Sequence, residues 1–274
     1  MTPTRPPQHQ AVQLARRWVL DYFNSQDEAA AREFIAPEYA LEIGDYLFDG
    51  RDTQWLPAVA QQFAQFPGMG MTVHQVVAGS GSKEGHVAVC FSEHGASGGP
   101  GGPVAVWSGV GIYRAKGERL VGCCAQEDYV TRSRQLRSGV CDVVDAPAPA
   151  PWDTIPLGSN PEAEAVVCRW LQQFWPAKPS AVRVDDEHIT GKTMAFEVRS
   201  VEVVDIFSSG QDVAFHVRQR GLYRGGLPGM PAIEREELLN VNGIVRVQDG
   251  SVTVGRVIRD RGGLKGRLLK DSAQ

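Results

Sequence analysis

Apolar residues near the start of the chain recur at the spacing of an amphipathic helix. The pattern is carried by Val12, Ala15, Val19, Tyr22 and Phe23. Residues three or four positions apart share one face of a helix, so this segment is predicted to pack that face on a core. Further helices are predicted over residues 27–36 and 53–66, each followed by a proline.

Further along the chain, short runs rich in β-branched residues predict strands. Besides a short strand over residues 39–43, the predicted strands cover residues 71–78, 86–94, 104–115 and 119–129. Residues 95–103 are rich in Gly and Pro and predict a loop, but they lack the lysine of a phosphate-binding loop. Helices first and strands afterwards are typical of an α+β domain.

The second half of the chain repeats the opening and the close of the first. Residues 16–23 and 168–175 both have Arg-Trp at their second and third positions, and residues 117–128 and 249–260 both run from a turn to an aspartate. The pattern predicts a helix over residues 161–175 and strands over 193–207, 212–220, 234–247 and 251–261. We interpret the chain as an internal duplication. Its second copy is trimmed, because Trp18 and Asp128 lie 110 positions apart but Trp170 and Asp260 only 90.

Alternating Ala and Pro between the two copies indicate a linker. Residues 146–151 cannot form a regular helix or sheet and predict an extended spacer. Asn160 and Pro161 then suit the cap and first turn of the next helix. The predicted organisation is a first domain over residues 8–140, a linker over 141–160 and a second domain over 161–264.

Charge and hydropathy narrow the classes of partner. The 274 residues carry a net charge of −4 and no basic run, which argues against a nucleic-acid partner. No apolar stretch approaches the roughly 20 residues of a membrane span, and the first residues lack the apolar segment of a signal peptide. Five cysteines without metal-type spacing predict reduced thiols in a cytoplasmic protein. The six scattered histidines predict no metal site and no cofactor.

Several motifs resemble one known family. They are Asn24-Ser25-Gln26-Asp27, the segment from Phe34 to Tyr39 with its Phe-x-Ala-Pro-x-Tyr pattern, Gly50-Arg51 and residues 117–128. Together they resemble the NTF2-like superfamily, which includes SnoaL-like polyketide cyclases and ketosteroid isomerase. The resemblance covers most of residues 10–135 and extends weakly to 161–262. It implies an α+β fold with two cone domains, in which helices pack on a curved antiparallel sheet, the second domain being trimmed.

The resemblance also implies that the closing strand of each cone lines a pocket. Because side chains alternate along a strand, Leu120, Gly122, Cys124, Gln126 and Asp128 are predicted to share one face. Asp128 matches the closing acid of the family and is our first candidate for proton transfer. An apolar wall would raise its pKa toward neutrality. The alternative is a solvent-exposed residue at a strand end.

Two further residues are candidates for acid/base roles. The resemblance implies a proton-abstracting acid near Asp45, although an aspartate beside Gly44 also suits a turn. His74 alternates with valines and could pair with Asp128 as a base, or lie on the surface. The predicted substrate-binding residues are Tyr22, Trp18, Tyr46, Cys124, Gln126 and Trp107. Asp260 lies among arginines, which favours a salt bridge and a structural role.

These residues lead to two classes of function. The first is a cofactor-free acid/base enzyme, an isomerase, cyclase or dehydratase acting on a small apolar carbonyl or polyketide-like compound. The second is a non-catalytic protein of the same fold that binds small molecules or acts as a scaffold. Epoxide hydrolysis is a further alternative. Alternating strands in the second half predict that the halves pack sheet to sheet as an intrachain pseudo-dimer, within a monomer or a homodimer.

Overall fold

The computed structural model describes residues 9–174, 181–191, 193–233 and 235–271. The sequence lead-in and the predicted element boundaries at Trp175 and Glu234 lie outside the described residues. None of the helices in these ranges combines the length and the hydropathy that crossing a bilayer demands.

The first half begins with helices, as predicted. Helix α1 (Gln10–Arg17) continues directly into a π-helical segment (Trp18–Phe23), and α2 (Glu28–Phe34) and α3 (Leu56–Gln65) follow. Asp27 caps α2, because its carboxylate accepts a hydrogen bond from the backbone N–H of Ala29 at 2.9 Å.

Six strands of the first half form one mixed sheet. They are β1 (Ile35–Ile43), β2 (Tyr46–Asp49), β3 (Gly70–Ala78), β4 (His86–Ala96), β5 (Val104–Lys116) and β6 (Arg119–Glu127), in the order β2-β1-β6-β5-β4-β3. Every neighbouring pair is antiparallel except β1 and β6, which are parallel. The predicted α+β class is confirmed, and the sheet is mixed rather than purely antiparallel because β1 joins β6 across the intervening chain.

The second half repeats this plan in shorter form. Helix α5 (Pro161–Arg169) again continues into a π-helical segment (Trp170–Phe174). The sheet contains β7 (Ala181–Val184), β8 (Ala195–Ser209), β9 (Asp212–Gly225), β10 (Glu236–Gln248) and β11 (Ser251–Arg259), in the order β7-β11-β10-β9-β8. Its edge strand β7 runs parallel to β11, as β1 does to β6. The four-residue helix α6 (Glu187–Thr190) stands where the first half has the longer α3, which accounts for the trimming.

Each sheet is followed by a helix that the sequence analysis did not predict. These helices are α4 (Tyr129–Ser138) and α7 (Arg261–Asp271). Each begins directly after the repeated aspartate: Asp128 accepts from the backbone N–H of Thr131 at 3.1 Å, and Asp260 from that of Gly263 at 2.7 Å. The closing strands therefore end at Glu127 and Arg259 rather than two residues later, because the aspartates are helix caps.

A bulge in β6 changes the face of the sheet on which the side chains of the following residues lie. Ala115 pairs with Leu120, but the preceding residue Arg114 pairs with Gly122, so Val121 is an extra residue. Leu120 and Cys123 consequently both lie in the core of the first half. The same shift occurs in β11, where the bulge follows Val252.

The two sheets pack against each other with their faces that point away from the helices. Cys90, Val110 and Ile112 of the first sheet form a buried cluster with Phe207, Ala214 and Ile244 of the second. We call these the outer faces and the opposite ones the cone faces. Each half keeps its own core between its cone face and its helices.

Candidate active site

A cavity of about 250 Å³ lies between the helices and the cone face of the first sheet. Its walls are largely aromatic and aliphatic, and the polar groups at one end are two carboxyls, an amide and a phenol. The lining residues are Trp18, Phe23, Leu41, Ile43, Tyr46, Phe48, Trp55, Ala58, Val59, Gln62, Phe91, Glu93, Tyr113, Cys123, Ala125, Glu127 and Tyr129. The cavity is thus suited to a small apolar ligand that carries a polar group at one end.

Two carboxyls, which we call the carboxyl pair, meet at this end of the cavity. Glu93 projects from β4 and Glu127 from β6, with β5 between them. Gly109 of β5 pairs with both Phe91 and Glu127. A Cβ atom at Gly109 would lie 2.3 Å from the Phe91 ring and 3.0 Å from Cγ of Glu127. Because Gly109 has no side chain, groups on the two neighbouring strands, β4 and β6, can meet across β5.

Hydrogen bonds hold both carboxyls in place. Nε2 of Gln62 donates to Oε2 of Glu93 at 2.8 Å, and Nε1 of Trp107 donates to Oε2 of Glu127 at 2.8 Å. The two carboxyls also lie within hydrogen-bonding reach of each other, and Tyr129 lies beside Glu127. A hydrogen bond between two carboxyls requires that they share a proton.

The surroundings place that proton on Glu93. Burial raises the pKa of Glu93 well above its usual range, and the charge of Glu127 raises it further. Burial also raises the pKa of Glu127, but the hydrogen bond from Trp107 and the nearby Arg132 oppose the shift. Glu127 therefore ionises first, which makes the pair one proton donor and one proton acceptor.

Helix α4 supplies two of the groups near Glu127, Tyr129 and Arg132. The guanidinium of Arg132 lies 4.3 Å from the ring centre of Tyr129 and 5.1 Å from that of Trp107. This cation lies close enough to lower the pKa of both carboxyls of the pair. The position of α4 therefore controls the electrostatics of the cavity.

Asp128 does not line the cavity, and this corrects the prediction from the sequence. The bulge at Val121 turns Cys123, Ala125 and Glu127 toward the helices, so Asp128 points to the other side. Its side chain is fully buried, where an oxygen lies 2.6 Å from Arg261 and the other accepts from the backbone N–H of Asp186 at 2.8 Å. Burial alone would raise its pKa, but these partners hold the pKa below its usual range.

Asp128 belongs to a buried set of charges between the two halves, which we call the ionic cluster. Its members are Arg256, Arg259, Arg261, Asp128, Asp185, Asp186 and Glu187. Arg261 joins three of the acids, and Asp186 also accepts hydrogen bonds from the backbone and hydroxyl of Ser108. Arg261 thus lies between two aspartates, Asp128 and Asp185, but this arrangement lies between the halves and not at the cavity.

The other predicted acid/base residues lie on the outer side of the first sheet. His74 is the extra residue of a bulge in β3, and its ring nitrogens lie 3.0 Å from the carbonyl of Ala146 and 2.8 Å from the hydroxyl of Ser92. Asp45 is exposed and forms an ion pair with Arg267. The structure therefore brings neither residue to the carboxyl pair.

The predicted substrate-binding residues are distributed among different places. Trp18 and Tyr46 line the cavity, whereas Trp107 lies behind it and donates to Glu127. Tyr22 is buried in the wall, with its ring centre 5.1 Å from that of Trp55. Cys124 and Gln126 lie on the outer face and line a second cavity, together with Asp45.

The sequence contained a signal for Glu93, although the sequence analysis did not identify this residue as a candidate. In β4, Val87, Val89 and Phe91 lie in the core of the cone, so strict alternation puts Glu93 on the same face. An acid in an otherwise apolar strand face is the signal. The bulge hid the corresponding signal for Glu127, because alternation from Leu120 points that residue away from the cone.

Comparison with known proteins gives similarities to solved structures. No protein-family model matches the chain, and neither does any curated protein. A candidate SnoaL-like polyketide cyclase from a Jannaschia species is 17% identical, with 50% of this chain and 97% of the other covered at a TM-score of 0.40. IdmH, a candidate polyketide cyclase from Streptomyces antibioticus, is 25% identical over 47% of this chain and 99% of its own, at a TM-score of 0.39. A Catenulispora acidiphila protein with a ketosteroid isomerase-like fold is 15% identical over 49% and 95%, at a TM-score of 0.39.

Proposed function

We propose that the first half is a general acid/base enzyme acting on a small, largely apolar carbonyl compound. The observation that carries the proposal is the carboxyl pair, Glu93 and Glu127, at the polar end of an apolar cavity. Proton transfer next to a carbonyl needs a base for the carbon-bound proton and a donor for the oxygen. A proton-sharing pair provides both within one site.

In the proposed reaction each carboxyl has its own role. Glu127 ionises first and accepts the proton from the carbon next to the carbonyl. Glu93 keeps its proton and donates a hydrogen bond to the oxygen, where negative charge develops as the enolate forms. The proton balance closes when Glu127 exchanges its proton with solvent water and then returns one to the same carbon or another one, which regenerates the starting pair.

The cavity supports a limited range of substrates. Its volume of about 250 Å³ is slightly below that of pockets for drug-sized ligands, which hold roughly 300–1,000 Å³. Its aromatic walls, with Trp18, Trp55 and Phe91 among them, favour flat apolar carbon frameworks. Isomerisation, aldol-type cyclisation and dehydration all begin with this proton removal, and we propose the reaction at that level.

The test is exchange of carbon-bound hydrogen with solvent. Small cyclic ketones and β-diketones are incubated with the protein in D₂O, and deuterium incorporation is followed by NMR. Glu127→Gln should slow exchange by at least about 100-fold, the usual range for loss of a general base. The matched control is Glu38→Gln, an exposed glutamate of the same half, which should exchange like the unmodified protein.

The same experiment separates the enzyme from the non-catalytic alternative. Ligand binding is measured by calorimetry on the same compounds. A compound that binds in the cavity without any protein-dependent exchange would refute the acid/base proposal and support a binding protein. Exchange that is equally fast in Glu127→Gln would refute the assigned base.

A further inference from the structure

Three metal-ligating side chains meet outside the proposed active site, in a second cavity of about 320 Å³ between the two sheets. They are Glu42, Cys124 and His216, and one potential ligand atom of each lies within 4.8 Å of the other two. Cys124 and His216 are buried and Glu42 is half-buried. None of the three lines the cavity that holds the carboxyl pair.

The backbone of both sheets fixes this arrangement. Glu42 and Cys124 are direct neighbours in the parallel pair of β1 and β6, so their side chains leave the sheet on the same face. His216 approaches from β9 of the other sheet, where it pairs with Asn242 of β10. All three groups therefore project from strands and not from loops.

Asn242 sets the tautomer of the histidine. Its Nδ2 donates to the carbonyl oxygens of Val110 at 2.9 Å and of Cys124 at 3.0 Å, which leaves Oδ1 as the acceptor. Nδ1 of His216 lies 2.7 Å from that oxygen and therefore carries the proton. Nε2 then holds the free electron pair, and metal-binding histidines are oriented by such a hydrogen bond on their other nitrogen.

We propose that Glu42, Cys124 and His216 bind a zinc ion. A thiolate, an imidazole and a carboxylate form a ligand set that suits Zn²⁺, and the cavity leaves room for water as a fourth ligand. On binding, the Cys124 thiol releases its proton to solvent as the Zn–S bond forms, and no electron is transferred. Because the ligands come from both sheets, the ion would also hold the two halves together.

Arg218 competes with the ion for one ligand. Its guanidinium lies 3.7 Å from the carboxylate of Glu42, and both side chains are more than one-third exposed. An exposed pair of this kind contributes at most about 1 kcal/mol, which corresponds to a factor of about five in affinity. Arg218→Gln should therefore tighten zinc binding by up to about fivefold.

The test is titration of the metal-free full-length chain with Zn²⁺ by calorimetry. One ion should bind per chain, and Cys124→Ser and His216→Gln should each weaken binding at least tenfold. The matched control is Cys141→Ser, which removes an exposed cysteine and should leave the affinity unchanged. Zinc should also raise Tm of the unmodified chain and of the control but not of Cys124→Ser.

A second readout needs no variant and so remains valid if a substitution prevents folding. Co²⁺ replaces zinc, and its thiolate complex has a characteristic absorption in the near ultraviolet. Absence of that absorption, or of one-to-one binding, would overturn the proposal. Zinc binding that survives in Cys124→Ser but is lost in Cys141→Ser would overturn it as well.

Discussion

The ionic cluster allows a sharp prediction about Arg261 and Asp128. Three guanidiniums face four carboxyls in this cluster. Arg261→Gln would leave two guanidiniums against four acids, whereas Asp128→Asn would leave three against three. The two substitutions break the same ion pair but change the balance of buried charge in opposite directions.

The magnitudes follow from the contacts that each substitution removes. Arg261 has nitrogens 2.6 Å from Asp128, 3.0 Å from Glu187 and 3.3 Å from Asp185. Removal of one partner from a buried pair costs about 3–5 kcal/mol, and we expect Arg261→Gln to reach this range. Asp128→Asn keeps an oxygen that can accept from Thr131 or Asp186 and loses mainly one charge-assisted bond, so we expect about 1.5–3 kcal/mol.

The assay is urea unfolding at neutral pH, together with Tm. A loss of about 3–5 kcal/mol should lower Tm by roughly 6–20 °C, because each kcal/mol corresponds to about 2–4 °C at this chain length. Arg17→Gln is the control, since Arg17 forms a salt bridge with the exposed Glu33 and should cost about 0–1 kcal/mol. The reasoning is refuted if Asp128→Asn costs more than Arg261→Gln, or if both match the control.

Three further predictions concern the carboxyl pair. Burial raises the folded-state pKa of Glu93 above its unfolded value of about 4.3, so the stability it contributes is present below that pH and is lost as pH rises through the folded pKa. Glu93→Gln should therefore flatten the decline in the free energy of unfolding above pH 5, and urea titrations with an unchanged slope would contradict this. Gly109→Ala should cost about 1–3 kcal/mol and abolish the proposed exchange, because its methyl group collides with the Phe91 ring; unchanged Tm and exchange would show that the site tolerates it. Trp107→Phe removes the donor to Glu127 and should raise the pKa of that carboxyl, which a shift of the exchange–pH profile to higher pH would reveal and an unshifted profile would exclude.

The substitution Asp128→Asn distinguishes a structural role of this residue from a catalytic one. Asp128 caps α4, which carries Tyr129 to the cavity and Arg132 next to Tyr129, and it does not line the cavity itself. Asp128→Asn should therefore lower Tm but keep proton exchange at temperatures where the chain is folded. A loss of exchange as large as that of Glu127→Gln, with intact folding by circular dichroism, would restore Asp128 as a candidate for the chemistry.

Local patterns predicted most of the elements, and backbone irregularities decided the rest. Helices and long strands were readable because their apolar spacing reflects a single core in each half. The facing of β6 was predicted wrongly because the extra residue Val121 breaks the alternation between Leu120 and Asp128. A β-bulge has no reliable signature in a single sequence. A prediction that relies on side chains alternating between the two faces of a strand over nine residues therefore fails when the strand contains a bulge.

Long-range contacts explain what the sequence could not assign. Glu42, Cys124 and His216 come from three strands, and their spacing in the chain has no metal-binding pattern. Helix α4 was missed because Asp128 was interpreted as the end of a strand, and the apolar positions of the helix are few. The role of the second half is likewise visible only in three dimensions, where Arg261 contacts Asp128 at the start of α4.

The central claim is that Glu93 holds a proton that it shares with Glu127 in the cavity. Infrared spectroscopy of the carboxylic acid C=O stretch at neutral pH tests it directly, since an exposed glutamate with a pKa near 4.3 is ionised there. Glu127, Asp186, Glu187 and Asp260 also have raised pKa values, so the difference between the unmodified chain and Glu93→Gln is needed to isolate the contribution of Glu93. Our account predicts a protonated-acid band that is present in the unmodified chain and missing in Glu93→Gln. Identical spectra would mean that Glu93 does not hold the proton and would contradict the proposed site.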